Sequence, residues 1–130
     1  MIGLDSGFFV ELLKGNQQAE RIWNDILEGQ GSVVSCISLF ELKRLGLKGL
    51  IDINTIDTVN EAIMNICNIA WLDNVNVVNT AANFSHGLGI HMVDALILSG
   101  FIKYEVTKIY TTDPHISSYK KKGVKIIMLV

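Results

Sequence analysis

Apolar residues recur along this chain at two spacings, and the switches between them outline alternating strands and helices. Short apolar runs bounded by polar residues or glycine predict strands over 2–5, 32–35, 70–72, 108–111 and 124–130, the last of them buried. Helical spacing predicts helices over 7–14, 19–28, 38–47, 77–85 and 92–104, and Pro114 opens a further one over 114–121. In the second of these, Ile22, Ile26 and Leu27 form a stripe beside Trp23. Thr58 and Glu61 have capping-box spacing and open, or lie early in, a helix running through residue 69. Gly15-Asn16, Gly29-Gln30-Gly31, Lys48-Gly49 and Gly87-Leu88-Gly89 supply the breaks. The sequence holds no internal repeat and no linker-like stretch. Strands alternating with helices predict a parallel sheet covered on both faces. The expected fold is therefore a three-layer α/β/α sandwich with a central, mostly parallel sheet of about five strands, and 130 residues suit one domain.

Composition sharpens this picture in two ways. Apolar residues make up 49% and charged residues 18% of the chain, and the mean hydropathy is +0.36. That is rich for a soluble protein, so part of the apolar surface is expected to be covered by a partner or a second copy. No apolar run reaches the roughly 18–20 residues of a membrane span, and Asp5 and Glu11 interrupt any leader-like start, so the expected compartment is the cytoplasm. Net charge is −2, which argues against broad electrostatic capture of nucleic acid but leaves room for a local basic patch. Cys36 and Cys67 are isolated and read as reduced core thiols.

The candidate chemistry is acidic. Asp5, Glu41, Asp94 and Asp113 each fall where a strand hands over to a helix, and each is framed by residues expected to be buried. Each has a purely structural reading: Asp5 as a helix cap, Ser38 with Glu41 as a capping box, Asp94 as a partner of the helix dipole, Asp113 before Pro114 as a helix start. Burial separates the readings better than position does. Glu41 shares a stripe with Ile37 and Leu45, and Asp94 adjoins Ile97 and Leu98; a cap needs no such company. Carboxylates beside a core are costly unless paired, hydrogen-bonded or bound to a cation, and four without matching bases point to a divalent metal.

Other features weigh less. His86, His91 and His115 read as solvated or packed rather than as a zinc site, and Asp52, Asp57 and Asp73 as turn or cap residues. Lys43, Arg44 and Lys48 follow Glu41 and either face RNA phosphate or form a solvated helix face. Lys120-Lys121-Lys122 suits a helix C-terminus, with RNA contact as a secondary reading. Neither a P-loop nor a Gly-x-Gly-x-x-Gly motif is present. A dehalogenase-type phosphatase would need a second acid where this chain has Gly7, and a receiver domain would need paired early acids.

The ordered set resembles the PIN domain family, and within it the VapC-like toxins of toxin–antitoxin pairs. The motifs are Leu4-Asp5-Ser6, Ser38-Leu39-Phe40-Glu41-Leu42, Asp94-Ala95-Leu96-Ile97 and Thr111-Thr112-Asp113, and they span nearly the whole chain. The resemblance implies an endoribonuclease that holds Mg²⁺ or Mn²⁺ through Asp5, Glu41, Asp94 and Asp113. It would cleave RNA with a metal-activated water, leaving 5′-phosphate and 3′-hydroxyl ends. Thr111 and, less strongly, Ser6 would be supporting polar residues. Such relatives often carry another acid two residues after the last aspartate, where this chain has His115. The family further implies a homodimer and a cognate antitoxin protein. Two alternatives stay open: a non-catalytic module that keeps the fold to bind protein, and a housekeeping RNA-processing nuclease.

Overall fold

A computed structural model describes residues 1–121 and 123–130. The described residues form strands β1 (Ile2–Leu4), β2 (Ser32–Ser35), β3 (Asn68–Ala70), β4 (Lys108–Thr111) and β5 (Lys125–Met128). The helices are α1 (Ser6–Leu13), α2 (Gln17–Leu27), α3 (Cys36–Leu47), α4 (Ile53–Ile66), α5 (Val75–Leu88) and α6 (Met92–Lys103). All four strand pairings are parallel, in the order β3-β2-β1-β4-β5. The first three strands step outward in one direction; the chain then returns and lays β4 on the other side of β1. That reversal is a topological switch point, and in open parallel sheets it leaves a crevice beyond the carboxyl ends of the two strands involved.

Side chains alternate across the sheet and so build two cores. Leu4 and Val34 point to one face, where Phe8, Phe9, Ile26, Leu42, Ile56 and Ile63 bring α1 to α4 over them. Val33 and Ile109 point to the other, packed by Leu98 and Phe101 of α6 and Ala81 of α5. Gly3 lies beneath Phe101, whose ring would stand 3.0 Å from any added Cβ. The three-layer expectation holds, with the sheet wholly parallel.

Local differences from the expected elements have local causes. Helix α3 starts two residues early because the Ser35 hydroxyl accepts from the Ile37 N–H at 3.1 Å. Ser38 is then inside the helix, buried and without a hydrogen-bond partner, so the Ser38–Glu41 capping box does not form. Helix α4 likewise begins earlier, capped by Asp52 on the Thr55 N–H at 3.0 Å, and ends at Ile66; the strand expected over 70–72 sits two residues earlier. Helix α5 extends both ways, from its Asn74 cap to Gly89 at φ 67°. The helix expected over 114–121 is only a short 3-10 turn, Ile116–Ser118. There the Ser117 and Ser118 hydroxyls bond back to the Pro114 and His115 carbonyls, competing with helical bonding. Strand β5, expected to be buried, is an edge strand with Lys125 and Met128 exposed. Lys122, the last of the lysine run, lies outside the described residues.

Candidate active site

Asp5 ends β1 and caps α1, and both roles fix its carboxyl. One oxygen accepts from the Phe8 N–H at 3.0 Å; the other accepts from the Thr111 hydroxyl at the end of β4. The side chain is buried, with a residue exposure of 5%, and burial pushes its pKa up. The Thr111 and Phe8 hydrogen bonds oppose that rise, while the negative charge of Asp113 adds to it. Gly7 permits this close packing of α1 against β4: a Cβ there would collide with Thr112 Oγ1 and come within 3.3 Å of Asp5 Oδ1.

Thr111 links the two strand ends. It is wholly buried, donates to Asp5, and accepts from the Asp113 N–H at 2.9 Å. Asp113 Oδ1 in turn accepts from the His115 N–H at 2.8 Å and lies 3.1 Å from His115 Nδ1. Asp94, in the first turn of α6, faces Asp113, with ligand atoms of the two within 4.8 Å of each other. The Asp94 pKa is raised to about 6, first by burial, then by the neighbouring Asp113 carboxyl and its charge, with His115 acting the other way. Glu41 accepts from the Ser6 hydroxyl at 3.2 Å; burial raises its pKa, and the charges of Asp5 and Asp113 raise it further.

The four acids thus feel one another at a single rim, but they do not stand equally close. Ligand atoms of Asp94, Asp113 and His115 lie within 4.8 Å of one another. Asp5 and Glu41 stand outside that group and are committed to hydrogen bonds with Thr111, Phe8 and Ser6. His115, expected to be solvated or packed and to stand where relatives often carry an acid, is exposed and belongs to this group. Its only sequence signal is its position two residues after Asp113. His91, at the start of α6, meets its ring edge-on at 5.7 Å between centroids. His86 is exposed in the last turn of α5.

Beyond Glu41 runs a groove lined by Ser6, Phe40, Glu41, Arg44, Lys48 and Val93. Arg44 and Lys48 form no ion pair among the described residues. Lys43 differs: its Nζ is 2.7 Å from Asp57 of α4, so it faces away from the groove, and Asp57 is a mid-helix ion-pair partner rather than a turn residue. Asp73 pairs with Lys103 at 3.0 Å, just ahead of the α5 cap. Lys120 and Lys121 line a separate hollow with Tyr119 and Lys125.

The donor set suits a hard divalent cation. Carboxylate oxygens dominate it, carboxyls raised by mutual repulsion and burial are what a cation would relieve, and few protein ligands suffice for Mg²⁺ or Mn²⁺. No helix among the described residues is long and apolar enough to cross a membrane.

No protein-family model and no curated protein sequence matches the chain. Solved structures do. The VapBC2 complex from Rickettsia felis, bound to a promoter DNA fragment, aligns with TM-score 0.75 at 15% identity over 98% of both chains. A toxin–antitoxin complex from Klebsiella pneumoniae gives 0.72 at 15% identity over 95% of both. VapC20 from Mycobacterium tuberculosis, a toxin that cleaves the sarcin–ricin loop, gives 0.70 at 17% identity, covering 91% of this chain and 94% of that one. At such identities the likeness speaks for architecture, and on that ground the chain has the PIN-like three-layer fold of the VapC toxins.

Proposed function

We propose that the chain is a metal-dependent endoribonuclease and the toxin of a toxin–antitoxin pair. The observation that carries this reading is the gathering of Asp5, Glu41, Asp94 and Asp113 at the switch point between β1 and β4, with three of the four carboxyls pushed up in pKa. A bare cluster of that kind destabilises a fold, and a divalent cation is the simplest thing that would balance it. Asp94 and Asp113 would hold the ion, with Glu41 and Asp5 close enough to share its field. When bound, the ion supplies Lewis-acid polarisation of the phosphoryl group and lowers the pKa of water.

The chain's own residues do the positioning. Thr111 holds Asp5 and the Asp113 backbone at once, so the two strand ends move as a unit. Ser6 keeps Glu41 turned toward the rim. Arg44 and Lys48, unpaired in the groove beside Glu41, would take backbone phosphates of a single strand flanking the scissile bond. Water attacks phosphorus and the bond to the 3′ oxygen breaks, leaving a 5′-phosphate and a 3′-hydroxyl. Mg²⁺ and Mn²⁺ are the proposed ions.

The partners follow from surface chemistry. Trp71, Leu72, Val75, Val78 and Met92 are exposed on and beside α5 and the start of α6. We assign that face to a second copy of the chain, and the apolar and basic groove beyond Glu41 to an antitoxin segment that would compete with RNA. The VapBC structures from Rickettsia felis and Salmonella typhimurium and FitAcB from Neisseria gonorrhoeae share this fold, which supports the pairing. The deciding experiment is cleavage of a mixed RNA pool with Mn²⁺, Mg²⁺ or EDTA, beside Asp94→Asn. Metal-dependent cleavage that the variant lacks is expected. No cleavage in any metal, together with no metal-induced shift in melting temperature, would leave a protein-binding module.

A further inference from the structure

The rim contains one nitrogen donor that the four-acid reading does not use. His115 Nδ1 stands 3.1 Å from Asp113 Oδ1, and ligand atoms of Asp94, Asp113 and His115 fit within 4.8 Å of one another. Cis ligands about 2.1–2.3 Å from a shared ion lie roughly 3 Å apart, and trans ligands about twice the bond length apart, so this group is already close to one coordination sphere. The ring is also held in place. The backbone N–H of His115 donates to Asp113 at 2.8 Å, and the His91 ring meets it edge-on at 5.7 Å and 78°. Its side chain is 61% exposed, so core burial does not account for this placement.

We propose that His115 is a direct nitrogen ligand beside Asp94 and Asp113, with His91 as the positioning residue for its ring. The inference rests on the metal-dependent reading above and refines it. A site with one imidazole and two carboxylates binds first-row transition ions more tightly than Mg²⁺, because nitrogen is a softer donor than Mg²⁺ favours. Selectivity for Mn²⁺ over Mg²⁺ is therefore written into this chain by one residue, whereas an all-carboxylate site would discriminate less.

The test reads binding rather than turnover. Mn²⁺ and Mg²⁺ affinities are measured by calorimetry on the intact protein, and Mn²⁺-loaded samples are examined by pulsed electron paramagnetic resonance for ¹⁴N coupling. Wild type should bind Mn²⁺ at least about tenfold more tightly than Mg²⁺ and show directly coordinated nitrogen. His115→Ala should lose the coupling and weaken Mn²⁺ at least about tenfold while changing Mg²⁺ little. His115→Asp should also lose the coupling and shrink the Mn²⁺/Mg²⁺ ratio by raising Mg²⁺ affinity. His91→Ala should keep the coupling but weaken Mn²⁺ several-fold, and unaltered Mn²⁺ affinity would remove His91 from the proposal. Both His115 variants change an exposed side chain, and circular dichroism melts will show that they fold. If wild type binds Mn²⁺ and Asp94→Asn abolishes that binding, but the coupling is absent or survives His115→Ala, this inference fails and the nuclease reading stands. If wild type binds neither ion, both fail together.

Discussion

At low pH Asp94 carries its proton in the folded and the unfolded chain alike. As pH climbs past 3.8 the unfolded chain ionises first, while the folded carboxyl holds its proton up to about 6. In that window the folded state binds more protons, so stability falls with rising pH, and the contribution is gone above the folded value. Asp5 and Glu41 are shifted in the same direction. In EDTA, then, Asp94→Asn should melt higher than wild type at neutral pH, with a gap that widens between about pH 4 and about pH 7. A pH-independent gap would mean that neither burial nor the neighbouring acids raise the Asp94 pKa. Thr111→Val probes a different link: it leaves the buried Asp5 Oδ2 without its donor and the Asp113 N–H without its acceptor, and should cost about 1–3 kcal/mol. Metal affinity should also fall about 10–100-fold, as when an outer-shell partner is removed. A Thr111→Val protein with unaltered metal binding would take Thr111 out of the site. Gly7→Ala, which drives a Cβ into Thr112, should cost about 1–3 kcal/mol in thermal melts. Glu41 and Asp94 stood out in the sequence because each has apolar neighbours that a cap does not need, and Asp5 and Asp113 because each closes a strand. His115 was marked only by standing where relatives often carry an acid; the turn after β4 brings it to Asp94.

Helix α6 shows why the acids cannot be separated from the core. Asp94 opens it, and Leu98 and Phe101, both buried, anchor it one and two turns later. Leu98→Ala should destabilise by about 2–5 kcal/mol in chemical denaturation and weaken metal binding with it, since the cavity loosens the helix that aims Asp94. A destabilised variant with full metal affinity would show the two functions to be independent. Helix α3 offers the complementary test, because Arg44 lies in the groove while Lys43 is paired across to α4. Arg44→Ala should weaken single-stranded RNA binding and lower its salt slope by about 1, with Lys43→Ala nearly silent. Equal effects would return both lysine and arginine to a general solvated face. The periodicity located every strand and all but one of the expected helices, but misjudged starts and ends. Ser35 and Asp52 out-competed the later capping signals at Ser38 and Thr58, and two serine hydroxyls undid the helix after Pro114. Such contests between neighbouring hydrogen bonds are decided by tertiary packing, which a linear pattern does not contain.

At the scale of the molecule the apolar excess seen in composition finds its place. Much of it is buried in two cores, and a good part of the rest lies together near α5, where Val75 and Met92 are 66% and 69% exposed. Val78→Asp, in the middle of that face, should shift the sedimentation profile from dimer to monomer without altering metal binding. An unchanged profile would move the self-association surface elsewhere. The parallel sheet and its switch point were readable from the alternation of elements; the strand order was not, since the sequence does not state on which side of β1 the fourth strand returns.

That return has a consequence for synthesis. Asp5 and Glu41 leave the ribosome early, whereas Asp94, Asp113 and Thr111 come late, and β4 must slot in beside β1 before the two groups meet. Domains begin to fold from the N-terminus as they are made, at about 5–20 residues per second. A nascent chain carrying β1 to β3 therefore exposes one flank of β1 and half of the acids, with no complete rim. Fragments 1–74 and 75–130, each without a metal-induced melting shift alone and with one when mixed, would show this directly. On the toxin reading proposed above, the complete rim exists only once translation is nearly finished, which leaves the preceding interval for an antitoxin to accumulate.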